Sequence, residues 1–486
     1  MAFKHTLEQY VKKNLKDRIF IVCSNREPYS HTRTVDGIKM IKTAGGAHNL
    51  LNLIAFASKG TYVAHGSGDA DKQVVDKQNK VEIKIDEEFY TLKRIFLSKK
   101  EIDKYYYGFA NQTLWPLCHA VFVKPVFDLS WWEMYKTVNR KFADAILEEI
   151  GEKKAFVWLN DYHLALVPQM LRESGKDIKI GTFWHIPWPT YEIFRVNPWC
   201  KEMLIGLLGN DFLSFHRGYH VQNFLQCVQR ELEAKVDFEP SQVIFHDFIT
   251  RIDNLPAGID YEEILKIKDK PLPTSTSFLK KEYGVEVPFI AIGVERLDYT
   301  KGMIERLKMI DKFLEKYPEY LEKFVYLGIV APSRQHIPAY RQYAKEFIDL
   351  VEKINWKYST NNWQPLYLIN DELPREEILS FFKDANCSLV TSLDDGMNLV
   401  AKEYVLSCQA EKGMLILSKF TGAAKDLRYS ININPYNIDE GAEAIYKAIT
   451  MPALEKKSRN LKMRDELKSK NIYQWAIKFI EKTLYD

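Results

Sequence analysis

The sequence predicts an α/β protein that consists of two doubly wound domains, each with a parallel sheet covered by helices on both faces. The chain has 486 residues. Because a single hydrophobic core stops growing near roughly 250–300 residues, we expect two domains. Short apolar runs alternate with amphipathic stretches, as in parallel strands buried on both faces. A polar, Pro-containing stretch at 235–287 interrupts this pattern, and we place the boundary at LPAGID, residues 255–260.

Each predicted strand is a short, continuously apolar run that a polar or Gly-containing turn follows. The predicted strands are 19–24, 155–160, 180–185, 211–216, 288–293, 323–330, 365–369, 387–392 and 413–418. The predicted helices are 132–149, 303–318, 340–354 and 397–409, with a last amphipathic helix near the end of the chain. Doubly wound sheets bind ligands beyond the carboxyl ends of their strands, so the loops directly after strands are the candidate sites.

Composition and charge exclude several classes of protein. The 68 basic residues nearly balance the 65 acidic ones, which argues against nucleic acid or an anionic membrane as the main partner. No stretch reaches the roughly 18–20 uninterrupted apolar residues of a membrane helix, and the charged first residues lack an apolar signal core. The six cysteines are scattered singly, so we expect a cytoplasmic protein with reduced thiols.

Four loops of the first half carry groups that suit anions and sugars. Arg26 follows the first predicted strand, and its planar guanidinium fits a phosphate, although a surface ion pair is the alternative. The glycines at 45–46 precede a helical pattern and allow backbone N–H groups to approach an anion, although the segment alone favours a plain turn. Asp161 and His185 each follow a strand closely, where a purely structural hydrogen bond is the alternative.

An aromatic cluster lies at residues 105–116, YYYGFANQTLWP. Tyr and Trp present polar tips that contact phosphates or sugar hydroxyls, but such clusters also form cores.

The second half places cations and carboxylates between strands and helices. Arg296 and Lys301 lie near a predicted helix N-terminus, where two cations and the helix dipole suit a diphosphate. The spacing is not that of a Walker A loop. Residues 394–403, DDGMNLVAKE, again follow a strand and open a helix. There, Asp395 could hold sugar hydroxyls and Glu403 a ribose diol, with a simple helix cap as the alternative.

Two metal-like patterns are set aside. His216 and His220 have i,i+4 spacing but no accompanying third ligand, and the DxD of residues 69–71 lies in a polar stretch that favours a loop. We therefore predict no metal site.

The segments together resemble the trehalose-6-phosphate synthases, glycosyltransferase family 20. The similar stretches occur in family order and span almost the whole chain: SNREPY, TAGGA, YYYGFANQTLWP, DYHLALVPQMLRE, HIPWPTYEIFR, LPAGID, GVERLDYTKG, VAPSRQ, DDGMNLVAKEY and LSKFTGAAKDL. The resemblance implies the GT-B architecture of two facing Rossmann-like domains. It implies an acceptor domain at 1–255, a nucleotide-sugar donor domain at 256–468, and a crossover helix at 469–486 that returns to the first domain.

The same resemblance implies roles residue by residue. The acceptor-binding residues would be Arg26, Tyr106, Trp115, Asp161 and Arg334. The donor-binding residues would be Gly46, Arg296, Lys301, Asp395, Gly396, Met397, Asn398, Leu399 and Glu403. The residues that take part in catalysis would be His185, Arg296, Lys301 and Asp395. The implied partners are a nucleotide sugar and a sugar phosphate, with no metal or other cofactor, and a homo-oligomer is left open.

Four positions depart from the family pattern, and they keep alternatives open. Ala47 replaces a leucine, His65 stands where a tryptophan is usual, Asn160 replaces a histidine, and Asp394 replaces an arginine. The first two affect the expected acceptor, and Asp394 affects the expected nucleotide. The implied reaction is retaining transfer of glucose from a nucleotide sugar to glucose 6-phosphate. The alternatives are a sister enzyme that uses glycerol 3-phosphate and a non-catalytic sugar-phosphate sensor.

Overall fold

A computed structural model describes residues 2–43 and 46–485. The chain forms two compact units, Met1–Gly258 with Ile472–Asp486, and Ile259–Asn471. Residues 256–258 thus belong to the first unit, because the Ala257 N–H donates to Nδ1 of His216 at 3.2 Å. Residues 469–471 belong to the second unit, because Ile259 forms a parallel bridge with Asn471. The fold class is α/β, as predicted.

The first unit contains a ten-stranded sheet and a separate two-stranded hairpin. Its strands are β1 (Arg18–Arg26), β2 (Tyr29–Thr34), β3 (Gly37–Lys42), β4 (Thr61–His65), β5 (Lys80–Ile85), β6 (Glu88–Ile95), β7 (Lys154–Asn160), β8 (Ile178–Phe183), β9 (Phe212–Phe215), β10 (Lys235–Asp237), β11 (Gln242–Phe245) and β12 (Phe248–Asn254). The order in the large sheet is β10-β11-β12-β9-β8-β7-β1-β4-β6-β5. All neighbours from β12 to β6 run parallel, and only the outer strands are antiparallel.

Helices surround this sheet. They are α1 (Ala2–Asn14), α2 (Gly46–Ser58), α3 (Asp71–Val74), α4 (Lys99–Glu101), α5 (Trp115–His119), α6 (Leu129–Ile150), α7 (Val167–Arg172), α8 (Tyr191–Phe194), α9 (Cys200–Leu207) and α10 (Gly218–Glu231). A π-helix, Ile102–Leu114, joins α4 to α5 and carries the aromatic cluster. In it, the Asn111 side chain donates to the Tyr106 carbonyl at 2.7 Å, and the Gln112 side chain donates to the Tyr107 carbonyl at 2.9 Å. These two contacts stabilise the wide turns.

The second unit is a six-stranded, fully parallel sheet. Its strands are β13 (Phe289–Arg296), β14 (Phe324–Ala331), β15 (Leu366–Ile369), β16 (Cys387–Val390), β17 (Met414–Ser418) and β18 (Ile431–Ile433). Its helices are α11 (Tyr261–Lys268), α12 (Ser275–Tyr283), α13 (Met303–Lys316), α14 (Pro338–Tyr358), α15 (Arg375–Phe381), α16 (Leu399–Ser407), α17 (Ile438–Thr450) and α18 (Ala453–Ser469). The order β15-β14-β13-β16-β17-β18 is that of the dinucleotide-binding Rossmann fold.

The last helix, α19 (Ile472–Tyr485), completes the core of the first unit. The ring of Phe479 stacks on Trp158 of β7 at 3.9 Å between centroids. The Trp475 ring lies 4.8 Å from Phe183 of β8, and its indole N–H donates to the Leu255 carbonyl at 3.2 Å. Burial of these aromatic rings holds the end of the chain against the first sheet.

Candidate active site

The donor-side residues gather at the carboxyl edge of the second sheet. β13 lies between β14 and β16. The strands up to β15 are added on one side of β13 and the later strands on the other side, so the strand order reverses here. Such a switch point leaves a crevice beyond the strand ends, where doubly wound sheets bind ligands. Arg296 is the last residue of β13 and is exposed, and Lys301 follows in a 3₁₀ turn before α13. Asp395 follows β16 in the neighbouring loop.

An ion pair joins the two loops. Nζ of Lys301 lies 2.6 Å from Oδ2 of Asp395, and each side chain is 14% exposed. The same carboxylate accepts from the Ser392 hydroxyl at 3.3 Å and the Asn398 amide at 3.2 Å. Sequence reasoning named both members of the pair but not their contact. The pair fixes a cation and a carboxylate, both half-buried, at the switch point.

Two glycines permit the close backbone approaches of these loops. Gly302 has φ +60°, and a Cβ there would lie 2.1 Å from the Thr391 carbonyl oxygen. A Cβ on Gly422 would lie 2.0 Å from the Gly396 carbonyl oxygen, in the loop that holds Asp395. No other residue type fits either position, so both glycines shape the site.

The segment 396–399 leads into α16, as the motif predicts. Asn398 has φ +77° and caps the helix by accepting from the Ala401 N–H at 3.0 Å. Met397 is buried, and its carbonyl accepts from the Ala423 N–H at 2.7 Å. Leu399 is the first residue of α16. The helix N-terminus therefore opens beside Asp395, where its dipole favours an anion.

Glu403 lies one turn into α16 and is 15% exposed. Its carboxylate accepts from Nε of Arg375 at 2.7 Å, and the same guanidinium contacts Glu263 of α11 at 2.5 Å. The predicted ribose contact thus has a fixed orientation that sequence reasoning did not anticipate.

The departure at Asp394 brings a second carboxylate to this loop. Burial, reinforced by the adjacent Asp395 charge, raises the pKa of Asp394 well above its usual range. The burial and the neighbouring carboxylate both disfavour the charged form of this side chain.

Arg334, expected among the acceptor residues, belongs to the second unit and follows β14. It has φ +45°, and its guanidinium donates to the Tyr340 hydroxyl at 2.5 Å and to Oδ2 of Asp298 at 3.4 Å. The fully buried Asp298 also accepts from the N–H and the hydroxyl of Thr300. The cations around Asp298, with Arg334 as the largest contributor, lower its pKa despite its burial. One missed carboxylate thus holds both the Arg334 side chain and the turn of Lys301.

In the first unit, Arg26 ends β1 and its side chain is exposed. β1 pairs with β7 on one side and β4 on the other, so it too lies at a switch point. Gly46, the expected donor contact, is the first residue of α2. Ala44 and Gly45, the rest of the predicted anion turn, lie outside the described residues.

Asp161 and His185 follow the neighbouring strands β7 and β8 and come together. The Asp161 carboxylate accepts from the His185 N–H at 3.0 Å. Nε2 of the His185 ring lies 2.7 Å from the side-chain oxygen of Asn160. Asp161 has φ +74°, a conformation that costs energy in a residue with a Cβ and that clusters at functional sites. Both side chains are half-buried at the carboxyl edge of the sheet.

The aromatic residues are only partly core. Trp115 is buried, whereas Tyr106 is half-buried and stacks on His163 at 5.8 Å between ring centroids. Asn111, buried, accepts from the Tyr162 hydroxyl at 2.9 Å and donates to the Tyr106 carbonyl. The π-helix is therefore hydrogen-bonded to the loop that carries Asp161.

The rings of His216 and His220, one of the two metal-like patterns, each accept a hydrogen bond from the backbone. Nδ1 of His216 accepts from the Ala257 N–H, and Nδ1 of His220 accepts from the Trp188 N–H. Across residues 2–43 and 46–485, no three His, Cys, Asp or Glu side chains group as metal ligands. Among the helices of those same residues, none is both long and apolar enough to span a membrane.

Solved structures similar to this one include trehalose-6-phosphate synthases. One, from E. coli and bound with UDP-2-fluoro glucose, is 32% identical, has a TM-score of 0.85, and covers 96% of this chain and 99% of its own. Another, an alpha,alpha-trehalose-phosphate synthase (UDP-forming) from Burkholderia xenovorans in complex with glucose-6-phosphate, is 28% identical with a TM-score of 0.84, over 96% and 99%. Two Rossmann-like units with cations and carboxylates at their switch points define a glycosyltransferase of the GT-B class.

The family model for glycosyltransferase family 20 matches residues 18–485. The chain belongs to that family. The trehalose-6-phosphate synthase of Mycolicibacterium vanbaalenii is 34% identical over 95% of both chains. "Alpha,alpha-trehalose-phosphate synthase [UDP-forming] A" of Dictyostelium discoideum is 32% identical over 95% of this chain, and this chain spans 62% of that relative's length.

Proposed function

We propose that this enzyme transfers glucose from UDP-glucose to glucose 6-phosphate with retention, which yields α,α-trehalose 6-phosphate. The observation that carries the proposal is the Lys301–Asp395 pair at the switch point of the second sheet. Relatives and structural neighbours support it, because their names give UDP as product and their complexes contain a UDP-glucose analogue and glucose-6-phosphate.

The donor would bind at the carboxyl edge of the second sheet. Breaking the bond between glucose and diphosphate builds negative charge on the leaving oxygen. Lys301 and Arg296 would stabilise that charge, together with the N-terminus of α16. The Asp395 carboxylate would accept from hydroxyls of the transferred glucose, while Gly396–Leu399 would present backbone N–H groups to the donor. Glu403, already oriented by Arg375, would accept from the ribose diol.

The acceptor would be bound by guanidinium groups, aromatic rings and a carboxylate. Arg26 and Arg334 would bind its phosphate, since a guanidinium contacts phosphate oxygens in a bidentate fashion. Tyr106 and Trp115 would pack on the sugar, and Asp161 would hold its hydroxyls.

Retention would follow a front-face route. No protein nucleophile is required if the leaving phosphate helps to deprotonate the attacking hydroxyl on the same face of the sugar. His185 would then orient the transferred glucose. NMR of the product tests this hypothesis, because a β-linked glucose would exclude it.

We propose that the reaction needs no metal, since Arg296 and Lys301 supply the positive charge that a divalent cation would otherwise supply. Turnover should survive EDTA. A requirement for Mg²⁺ or Mn²⁺ would contradict the proposal.

The deciding experiment measures release of nucleoside diphosphate from UDP-, ADP- and GDP-glucose with a panel of phosphorylated acceptors. Preference for glucose 6-phosphate supports the proposal. Preference for glycerol 3-phosphate would identify the sister enzyme, to which the departures at Ala47 and His65 are relevant. Binding without turnover would identify a sensor.

A further inference from the structure

A buried charged cluster lies at the carboxyl ends of β1, β4 and β6, outside every predicted role. Nε of Arg94 lies 2.7 Å from Oε2 of Glu27, and its NH2 group lies 2.9 Å from Oδ1 of Asp71. All three side chains are fully shielded from solvent. A buried cation with two carboxylates is costly to desolvate, so such a cluster persists only where further hydrogen bonds satisfy it.

Those further hydrogen bonds involve the loop after β4 and the backbone of β2. Glu27 accepts from the N–H and hydroxyl of Ser67 at 2.8 and 3.2 Å. Asp71 accepts from the Gly68 N–H at 2.6 Å and from the His31 N–H at 2.7 Å. Arg94 also donates to the Tyr29 carbonyl at 3.0 Å. The cluster thus joins the loop after β4 to the β2–β3 hairpin.

The DxD segment, residues 69–71, is hydrogen-bonded to the β2–β3 hairpin. Asp69 accepts from the Arg33 N–H at 3.0 Å, and Asp71 accepts from the His31 N–H. The aspartates, two residues apart, match two N–H groups of β2 that are also two residues apart. The two aspartates therefore bind β2, the first strand of the hairpin.

Arg26 immediately precedes Glu27. Its carbonyl accepts from the buried Ser24 hydroxyl at 2.8 Å, so the backbone is held on both sides while the Arg26 side chain remains exposed. This is the arrangement that preorganises a ligand-binding side chain at low entropic cost.

We propose that the Glu27–Arg94–Asp71 cluster positions Arg26 and the β2–β3 hairpin for the phosphorylated acceptor. Glu27, Arg94 and Asp71 are positioning residues, which act through Arg26 and through the hairpin. The inference rests on the proposed function, because it assigns Arg26 to the acceptor phosphate.

The titration of Glu27 supplies a second readout. Burial and hydrogen bonding to Asp71 raise the pKa of Glu27 to about 7, against the opposing effect of Arg94. The titratable and charged groups around it are Arg94 and Tyr90 of β6, Asp71 of α3, His31 and Tyr29 of β2, and His65 of β4. Burial lowers the pKa of both His31 and His65, away from the pH range in which Glu27 titrates.

The test compares E27Q with the wild-type full chain. E27Q keeps the shape of the side chain but removes its charge, and a buried charged hydrogen bond is worth enough to change affinity by about tenfold or more. We expect KM for glucose 6-phosphate to rise about tenfold and KM for the nucleotide sugar to change less than about twofold. Protonation of Glu27 below about pH 7 should raise the acceptor KM of the wild type, in addition to the change that titration of the acceptor phosphate itself causes. E27Q should show only the change due to the phosphate.

D71N is the second variant if E27Q does not fold. D211N is the matched control, since Asp211 also pairs with an arginine, Arg172, at 2.6 Å and accepts from the Ile180 N–H at 2.8 Å in the same unit. It lies just before β9, away from the carboxyl edge. An acceptor KM in E27Q no higher than in D211N would overturn the positioning role.

Amide hydrogen exchange separates this inference from the proposed function. In E27Q and D71N the N–H groups of His31, Ser67 and Gly68 should exchange at least about tenfold faster, whether or not the enzyme turns over glucose 6-phosphate. Unchanged exchange would overturn the cluster's role as a clamp. Faster exchange in a protein whose wild type prefers another acceptor would overturn only the proposed function.

Discussion

Replacing Lys301 with methionine tests the donor site most directly. The substitution removes a cation placed to stabilise the leaving diphosphate, and loss of one preorganised group of this kind costs about 2.7–4 kcal/mol of transition-state stabilisation. We therefore expect kcat to fall about 10²–10³-fold. The measurement is release of UDP at saturating UDP-glucose and glucose 6-phosphate.

The same substitution also removes the partner of Asp395. Without Lys301, the Asp395 carboxylate, which is 14% exposed, keeps its contacts to Ser392 and Asn398. Unfolding in urea should show a loss of about 1–2 kcal/mol, near the lower end for a charged hydrogen bond. Stability and catalysis are therefore both affected, and a double-mutant cycle must separate them.

Lys301→Met combined with Asp395→Asn provides that cycle. If the pair serves stability alone, the double variant should regain both stability and activity. If both groups bind the donor, it should regain stability only. Lys357→Met is the matched control, because Lys357 pairs with Asp311 at 2.7 Å on exposed helices and should leave kcat unchanged within about twofold. A Lys301→Met enzyme with kcat within tenfold of the wild type would refute the assigned role.

Three further outcomes are expected. Arg334→Ala should raise the acceptor KM at least about tenfold and leave the donor KM nearly unchanged, since it removes a charged hydrogen bond to phosphate; steady-state kinetics measure both, and equal effects would contradict the assignment. Asp394→Asn should increase the free energy of unfolding, because the pKa of this carboxyl is raised in the folded state: the wild type loses stability as pH rises from the unfolded pKa toward the folded one, and the variant does not. Urea unfolding measured from pH 4 to pH 8 should show a difference in the free energy of unfolding between variant and wild type that grows as the pH rises. A difference that does not change with pH would argue against a raised pKa. Trp475→Ala should cost about 3–5 kcal/mol by urea unfolding, because it removes a buried ring and the hydrogen bond to Leu255; a loss below 1 kcal/mol would contradict the packing of α19.

Several buried strands could be predicted because their signal is local. Continuous apolar runs such as 155–160 and 387–392 are buried on both faces, and β7 and β16 lie there. Other strands were missed, both at the edges of the first sheet and at β4, β6 and β12 within it. Some of them are short or alternate with exposed polar residues, as in β5 with its sequence KVEIKI. The π-helix also had no local signal, since its wide turns depend on side-chain contacts such as that of Asn111.

The candidate site could be predicted only as far as the residues that follow strands. Lys301 and Asp395 lie in such loops, where the fold class already directs attention. The residues proposed to position Arg26 carried no such signal: Glu27 and Arg94 are 67 residues apart in sequence, and their contact arises only when β1, β4 and β6 assemble. Asp298 lies within the recognised RLDY stretch, yet its burial beneath Arg334 and Thr300 depends on the tertiary fold.

The position of α19 constrains the order in which the chain can fold during synthesis. Domains generally fold as units while the ribosome is still translating, beginning from the N-terminus. The first unit cannot do so completely, because Trp475 and Phe479 belong to its core and are made after all of the second unit. The nascent chain must therefore carry an unfinished first unit until Trp475 and Phe479 have been made, and truncation before Trp475 should impair the part of the protein that was made first.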